Sequence, residues 1–137
     1  MVVGGRVPVE PDGGAEALEQ LELRYRLAAQ TAEAFASAGF VTVVQDNIFG
    51  EHLAGFVDRI AFRPLHVVVL IPRPEVVARR EAERPKTAYR PGSWTIDELD
   101  RSLRERTPRI GLWIDNSDQT PDETVDEILA RRAQARV

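Results

Sequence analysis

Hydrophobic and polar positions along this chain follow two periods that take turns. From Ala15 to Ala38, Leu18, Leu21, Tyr25, Ala28, Ala32 and Phe35 recur at spacings of three and four, which places them on one stripe of a helix. Gly39 follows directly and suits the position where a positive φ ends a helix. Residues 40–44, FVTVV, are continuously apolar or β-branched. The run is too short for a helix and fits a parallel strand covered on both faces. Leu53, Phe56, Val57 and Ile60 then make the inward stripe of a short helix expected from about Gly50 to Ile60. Residues 66–71, HVVVLI, form a second strand pattern stopped by Pro72 and Pro74. A helix is expected from near Glu75 toward Glu83, with a boundary at Arg84 because Pro85 follows it.

Further on, residues 85–95 mix Pro, Gly, Lys, Tyr, Arg and Trp and read as an irregular loop. Thr95 with Glu98 is a capping-box pattern, and it opens a helix carrying Ile96, Leu99 and Leu103 inward. The third strand is expected over Ile110–Ile114, with Ile110, Leu112 and Ile114 on one face and Trp113 on the other. Thr120-Pro121-Asp122-Glu123 is a helix start with Thr at the N-cap, Pro in the first turn and Glu three positions on. Val125, Ile128 and Leu129 would give that helix its buried face. Residues 1–14 hold four glycines and two prolines and read as a loop.

Helices alternating with short buried strands near 40–45, 66–71 and 110–114 imply an α/β chain with a parallel sheet flanked by helices. Such sheets bind ligands beyond the C-terminal ends of their strands. That edge would carry Asp46-Asn47, Pro72-Arg73 and Asp115-Asn116-Ser117.

Composition adds limits. A chain of 137 residues with 43% hydrophobic and 29% charged side chains is one globular domain. Its net charge of −4 gives a nucleic-acid partner no support. There is no Cys and only His52 and His66, which excludes disulfides and thiolate metal sites. No apolar run approaches the roughly 20 residues of a membrane helix, and no secretory signal pattern opens the chain. The expectation is a cytoplasmic protein with no membrane and no nucleic-acid partner.

Three constellations carry candidate chemistry. Asp46, just past a strand, suits a group orienting a metal ion or a substrate hydroxyl; Asp46 or Asn47 equally suits the cap of the next helix. Arg73, Arg79, Arg80, Arg84, Lys86 and Arg90 form a basic segment able to close over a triphosphate. Composition alone favours the plainer account, a solvated helix face paired with Glu75, Glu81 and Glu83. The turn Asp115-Asn116-Ser117-Asp118 with Thr120-Pro121 could cradle a base or ribose, and as structure alone it is a well-capped connection. His52, His66 and Trp113 read as structural, and Trp94 as a cover over either the core or a substrate.

Three stretches taken together, VTVVQD, HVVVLIPRPEVVARREAERPK and LWIDNSDQTPDETVDEIL, resemble the P-loop small-molecule kinases, above all the chloramphenicol phosphotransferase-like, shikimate-kinase-like and gluconate-kinase-like group. The likeness covers roughly residues 20–135 and rests on the order and spacing of loose motifs. It implies a P-loop NTPase fold with five parallel strands in the order 2-3-1-4-5, and ATP with magnesium as cofactors. It implies a lid-like segment over 73–95 in which Arg80 and Arg84, matching an R-x-x-x-R-P pattern, contact nucleotide phosphates. Pro121, with Arg84, Asp115 and Asn116, would lie on the adenine side. Asp46 would sit on the substrate or metal side, and a small hydroxylated molecule would be the substrate.

The chain departs from the family at one decisive place. No G-x-x-x-x-G-K-[ST] occurs in it, so the lysine, the magnesium-holding hydroxyl and the backbone amides that cradle β-phosphate are absent from these residues. The resemblance implies that the first two family strands precede MVVGGRVP and that Met1 is internal to a longer reading frame. The expectation is an N-terminally incomplete kinase-like domain, inactive and binding ATP weakly on its own. Without the first family strand, roughly 9–10 Å would separate residues 40–44 from 66–71. Exposed strand edges would then invite another chain. The alternative function is therefore a non-catalytic remnant acting as a binding or dimerisation module, a homodimer through those edges. A flavodoxin-like or receiver-like domain fits less well, since it wants a lysine after a late strand and Lys86 is the only lysine.

Overall fold

The computed structural model describes residues 14–84 and 94–137. The loop expected over 1–13 and most of the lid-like loop, 85–93, lie outside the described residues. Helix α1, Gly14–Ser37, is followed by an irregular stretch to Gly50. Helix α2 spans His52–Asp58 and strand β1 spans Val68–Leu70. Helix α3, Pro74–Ala82, helix α4, Ile96–Arg101, and a π-helical turn over Ser102–Arg106 lead to strand β2, Leu112–Ile114. Helices α5, Pro121–Ala130, and α6, Arg132–Ala135, close the chain. Among the described residues the architecture is mixed α/β, with six α-helices around a two-stranded parallel sheet.

β1 and β2 pair in register, Val68 with Leu112, Val69 with Trp113 and Leu70 with Ile114. Leu112 N donates to Val67 O at 2.9 Å and Ile71 N to Ile114 O at 2.8 Å, which extends the ladder at both ends. The C-terminus joins the same edge: Val67 N donates to Ala135 O and Val137 N to Leu65 O. The backbone groups of Val68 and Leu70 therefore point to the opposite edge of β1, where no described strand pairs.

Local sequence explains several elements. Thr95 and Thr120 both form capping boxes, with Glu98 and Glu123 answering. Gly39 ends α1 at φ 91°. Gly111, at φ 72°, lets β2 approach β1: a Cβ there would lie 2.8 Å from Val67 Cβ.

Two small cores form. Tyr25, Ala29, Ala32, Phe56 and Ile60 join α1 to α2, with Ile48 and Leu65 packed against them. Leu112, Ile114 and Ala135 gather under Val68 and Ile128. Leu53, Phe56, Val57 and Ile60 are all buried, as the pattern predicts.

Three expectations are corrected. Residues 40–44 are not a strand of the sheet, and no backbone–backbone hydrogen bond joins 41–49 to any described residue. With no neighbour to complete its ladder, a β-rich sequence alone does not make a strand. The buried face of α1 runs through Ala17, Tyr25, Ala29 and Ala32, leaving Leu18 and Phe35 exposed. On α5 the buried residue is Thr124, while Val125 and Leu129 face outward. The rest of each stripe packs as predicted, with Tyr25, Ala32, Leu21 and Ala28 of α1 against α2 and Ile128 of α5 against the second core.

Candidate functional site

Because β1 and β2 are parallel, their C-terminal ends meet at one edge. Pro72 leaves β1 and Arg73 becomes the N-cap of α3; Asp115 leaves β2 and leads to the N-cap Thr120 of α5. The two connections are tied together. Arg73 N donates to Ser117 Oγ at 2.7 Å, and its guanidinium donates to both carboxylate oxygens of Asp118, at 3.0 and 2.8 Å. Such a two-pronged pair fixes both distance and orientation. Ser117, buried, donates from both its backbone N and its hydroxyl to Asp115 Oδ1.

These contacts set the charge states. The hydrogen bonds from Ser117 hold the Asp115 carboxyl below the usual range. The Arg73 guanidinium does the same for Asp118, and Asp118 in turn raises the Arg73 value.

Arg80 reaches the turn from α3. Its Nη2 donates to the carbonyl of Asn116 at 2.9 Å, with longer bonds to those of Ser117 and Gln119. The guanidinium thus holds the turn that carries Asn116. Arg84, one helical turn on, has a side chain 66% exposed with Glu81 at 3.7 Å. The amide oxygen Asn116 Oδ1 is buried with no donor among the described residues. Pro121 opens α5 directly after the turn.

Arg104 was not singled out from the sequence. It projects from the π-helical turn and donates to the carbonyls of Ile71 and Pro72, at 2.9 and 3.3 Å, and to Asp100 at 2.8 Å. Only its (i, i+4) spacing from Asp100 was visible beforehand.

Asp46 is held elsewhere. It pairs with Arg24 of α1 at 3.1 Å and accepts from the backbone N of Asn47 at 2.7 Å. Tyr25 beside it donates to Asn47 O. Neither Asp46 nor Asn47 caps α2; that position belongs to Glu51, without a side-chain bond. The structure therefore gathers Arg80, Asp115, Asn116 and Pro121 around one turn, and ties Asp46 to α1. Among the described residues no group of three or more acidic or histidine side chains is placed to hold a metal ion.

His52 forms a second cluster. Its Nδ1 lies 2.7 Å from Glu22 Oε1, and Arg59 donates to Glu22 Oε2 at 2.8 Å. Burial opposes ionisation of Glu22, and the bonds from Arg59 and His52 outweigh it, leaving its carboxyl below the usual range. The cluster fastens α1 to α2. No helix among the described residues is long and apolar enough to cross a membrane.

Comparison of the chain with protein-family models, with curated proteins and with solved structures found no match.

Proposed function

We propose that this chain carries the base-and-lid side of an ATP-dependent phosphotransferase site acting on a small hydroxylated molecule. One observation supports the reading above the others. The parallel pair β1–β2 brings α3 with its arginines and the 115–121 turn to one C-terminal edge, where Arg73 and Arg80 bond to that turn. In open parallel sheets that edge is where ligands bind.

The residues divide the work. Arg80 shapes the turn through its carbonyls, and an adenine would lie beside Pro121 on the turn that carries Asp115 and Asn116. Arg84, largely solvated, would meet the phosphates. ATP would supply the transferable phosphoryl group. A phosphate-cradling G-x-x-x-x-G-K-[ST] is absent from these residues, so guanidiniums alone would hold the triphosphate. The expected affinity is then no tighter than about millimolar.

Amide and guanidinium NMR spectra of the purified chain, titrated with ATP, test this. The expected result is a weak, saturable set of shifts at Arg84, Asn116, Ser117, Gln119 and Thr120. Shifts confined to other surfaces, or none at roughly ten millimolar ATP, reject the reading. Low-micromolar binding would contradict the expected weakness.

A second reading is a binding or dimerisation module without catalysis. Val41, Val43 and Val44 favour it, exposed and without a backbone–backbone hydrogen bond to any described residue.

A further inference from the structure

In residues 40–45, FVTVVQ, the backbone N of Phe40 is bonded to Phe35 O, and the residues after it carry exposed apolar side chains. Val41 is 98% exposed and Val43 87%. Thr42 between them turns toward α1, whose Leu27, Thr31 and Phe35 line a shallow groove with residues 42–45. The out-in-out order is the period of a strand. No backbone–backbone hydrogen bond joins residues 41–45 to a described residue. Phe40 packs edge-on against Phe35 and is itself 63% exposed. The segment contains no charge, no Pro and no Gly, so it has none of the devices that usually keep an open edge from pairing.

The sequence selects its partner. Laid antiparallel on a copy of itself with Thr42 opposite Thr42, Val41 meets Val43 and Phe40 meets Val44. These are Thr–Thr, β-branched and aromatic–β-branched pairs, the favourable cross-strand combinations. The nearest charge, Asp46, falls opposite Ala38 and is already paired with Arg24, so no like charges face each other. Leu27, Phe35, Phe40, Val41, Val43 and Val44 are each more than 40% exposed.

We propose that residues 40–45 form a twofold antiparallel strand pair with a second copy of this chain, centred on Thr42. The inference stands apart from the phosphotransferase reading and specifies the module reading. Twofold pairing places the same edge of both segments about one axis, and that isologous contact by itself closes at two copies. A pair held by a few cross-strand contacts is expected to dissociate in the micromolar range.

Sedimentation velocity over roughly a hundredfold concentration range spanning the micromolar is the test, with three proteins. They are the unaltered chain, Val41→Lys/Val43→Lys, and Val41→Glu/Val43→Glu. Both positions are solvated, so circular dichroism of the three should agree. The unaltered chain is expected to pass from monomer to dimer. Each charged variant is expected to stay monomeric, because like charges then face each other across the axis. An equimolar mixture of the two variants is expected to regain the dimer. A monomer at every concentration overturns the proposal and leaves the segment to a strand of different sequence. A dimer that survives both variants places the contact elsewhere and overturns it too, as does open-ended growth beyond two copies.

Discussion

Gly111 is the residue on which the sheet closes. Its φ of 72° is one that side chains rarely adopt, and any Cβ would collide with the carbonyl and side chain of Val67. Val67 O cannot retreat without losing its bond to Leu112 N. Gly111→Ala therefore combines a left-handed backbone, about 1–2 kcal/mol, with overpacking of about 1–3 kcal/mol. Urea unfolding should show a loss in that combined range, with β1–β2 amides losing protection first. The arginines divide by the same logic. Arg80→Ala removes the charged donor to the half-buried Asn116 carbonyl and leaves it only the longer bond from Gln119 N at 3.4 Å, so a loss of about 1–3 kcal/mol is expected. Arg84→Ala removes an exposed side chain and should stay within about 0.5 kcal/mol. Equal effects in denaturant titrations would contradict the assignment of Arg80 as the strap and Arg84 as the solvated cation.

Among the elements, α5 separates pattern from packing. The sequence places Leu129 on the buried face, whereas the structure leaves it 63% exposed. Leu129→Glu should change unfolding free energy by no more than about 0.5 kcal/mol, while Ile114→Ala, in the smaller core, should cost about 2–5 kcal/mol. A large loss at Leu129 would mean that α5 packs on a surface these contacts do not include. The contrast also explains which elements were legible. Both capping boxes, the stop at Gly39 and the inward stripe of α2 depend on residues within a few positions of one another, and all formed as read. The faces of α1 and α5 and the strand at 40–44 depend on what the rest of the chain places beside them. An apolar stripe says that a face wants cover but does not say that cover exists. The candidate site divides likewise. Arg80, Asn116 and Pro121 come together because strand order predicts that edge. Asp46 was assigned to the same edge through a strand that did not join the sheet, so it sits with Arg24 instead. The sequence shows the (i, i+4) pairing of Arg104 with Asp100 but not its bonds to the carbonyls of Ile71 and Pro72, because carbonyls leave no mark in a sequence.

At the scale of the whole molecule, stability should have a plateau bounded by two kinds of group. Ser117 holds Asp115 low, Arg73 holds Asp118 low, and the capping threonines hold Glu98 and Glu123 low. Glu127, bonded by Gln119 and Arg131, behaves the same way. Each carboxyl is ionised more readily in the folded chain than at its ordinary value of 3.8 or 4.5. The unfolded chain therefore binds more protons in the acid range, and stability falls as pH falls through those values toward the lower folded ones. Tyr25 works in the opposite direction. Burial raises its value above 10.0, because the core disfavours phenolate. Its contribution is complete below pH 10 and is lost as pH rises through the folded value. These groups sit on α1, on the capped helices and on the 115–118 turn, so both cores share the dependence. Thermal midpoints should be level between roughly pH 5.5 and 9 and fall on both sides. Tyr25→Phe keeps the ring, so it should remove part of the alkaline fall while leaving the acid limb unchanged. If instead the midpoint rose steadily as pH dropped below about 4, the carboxylate bonds of the 115–118 turn and the helix caps would not be holding the fold together.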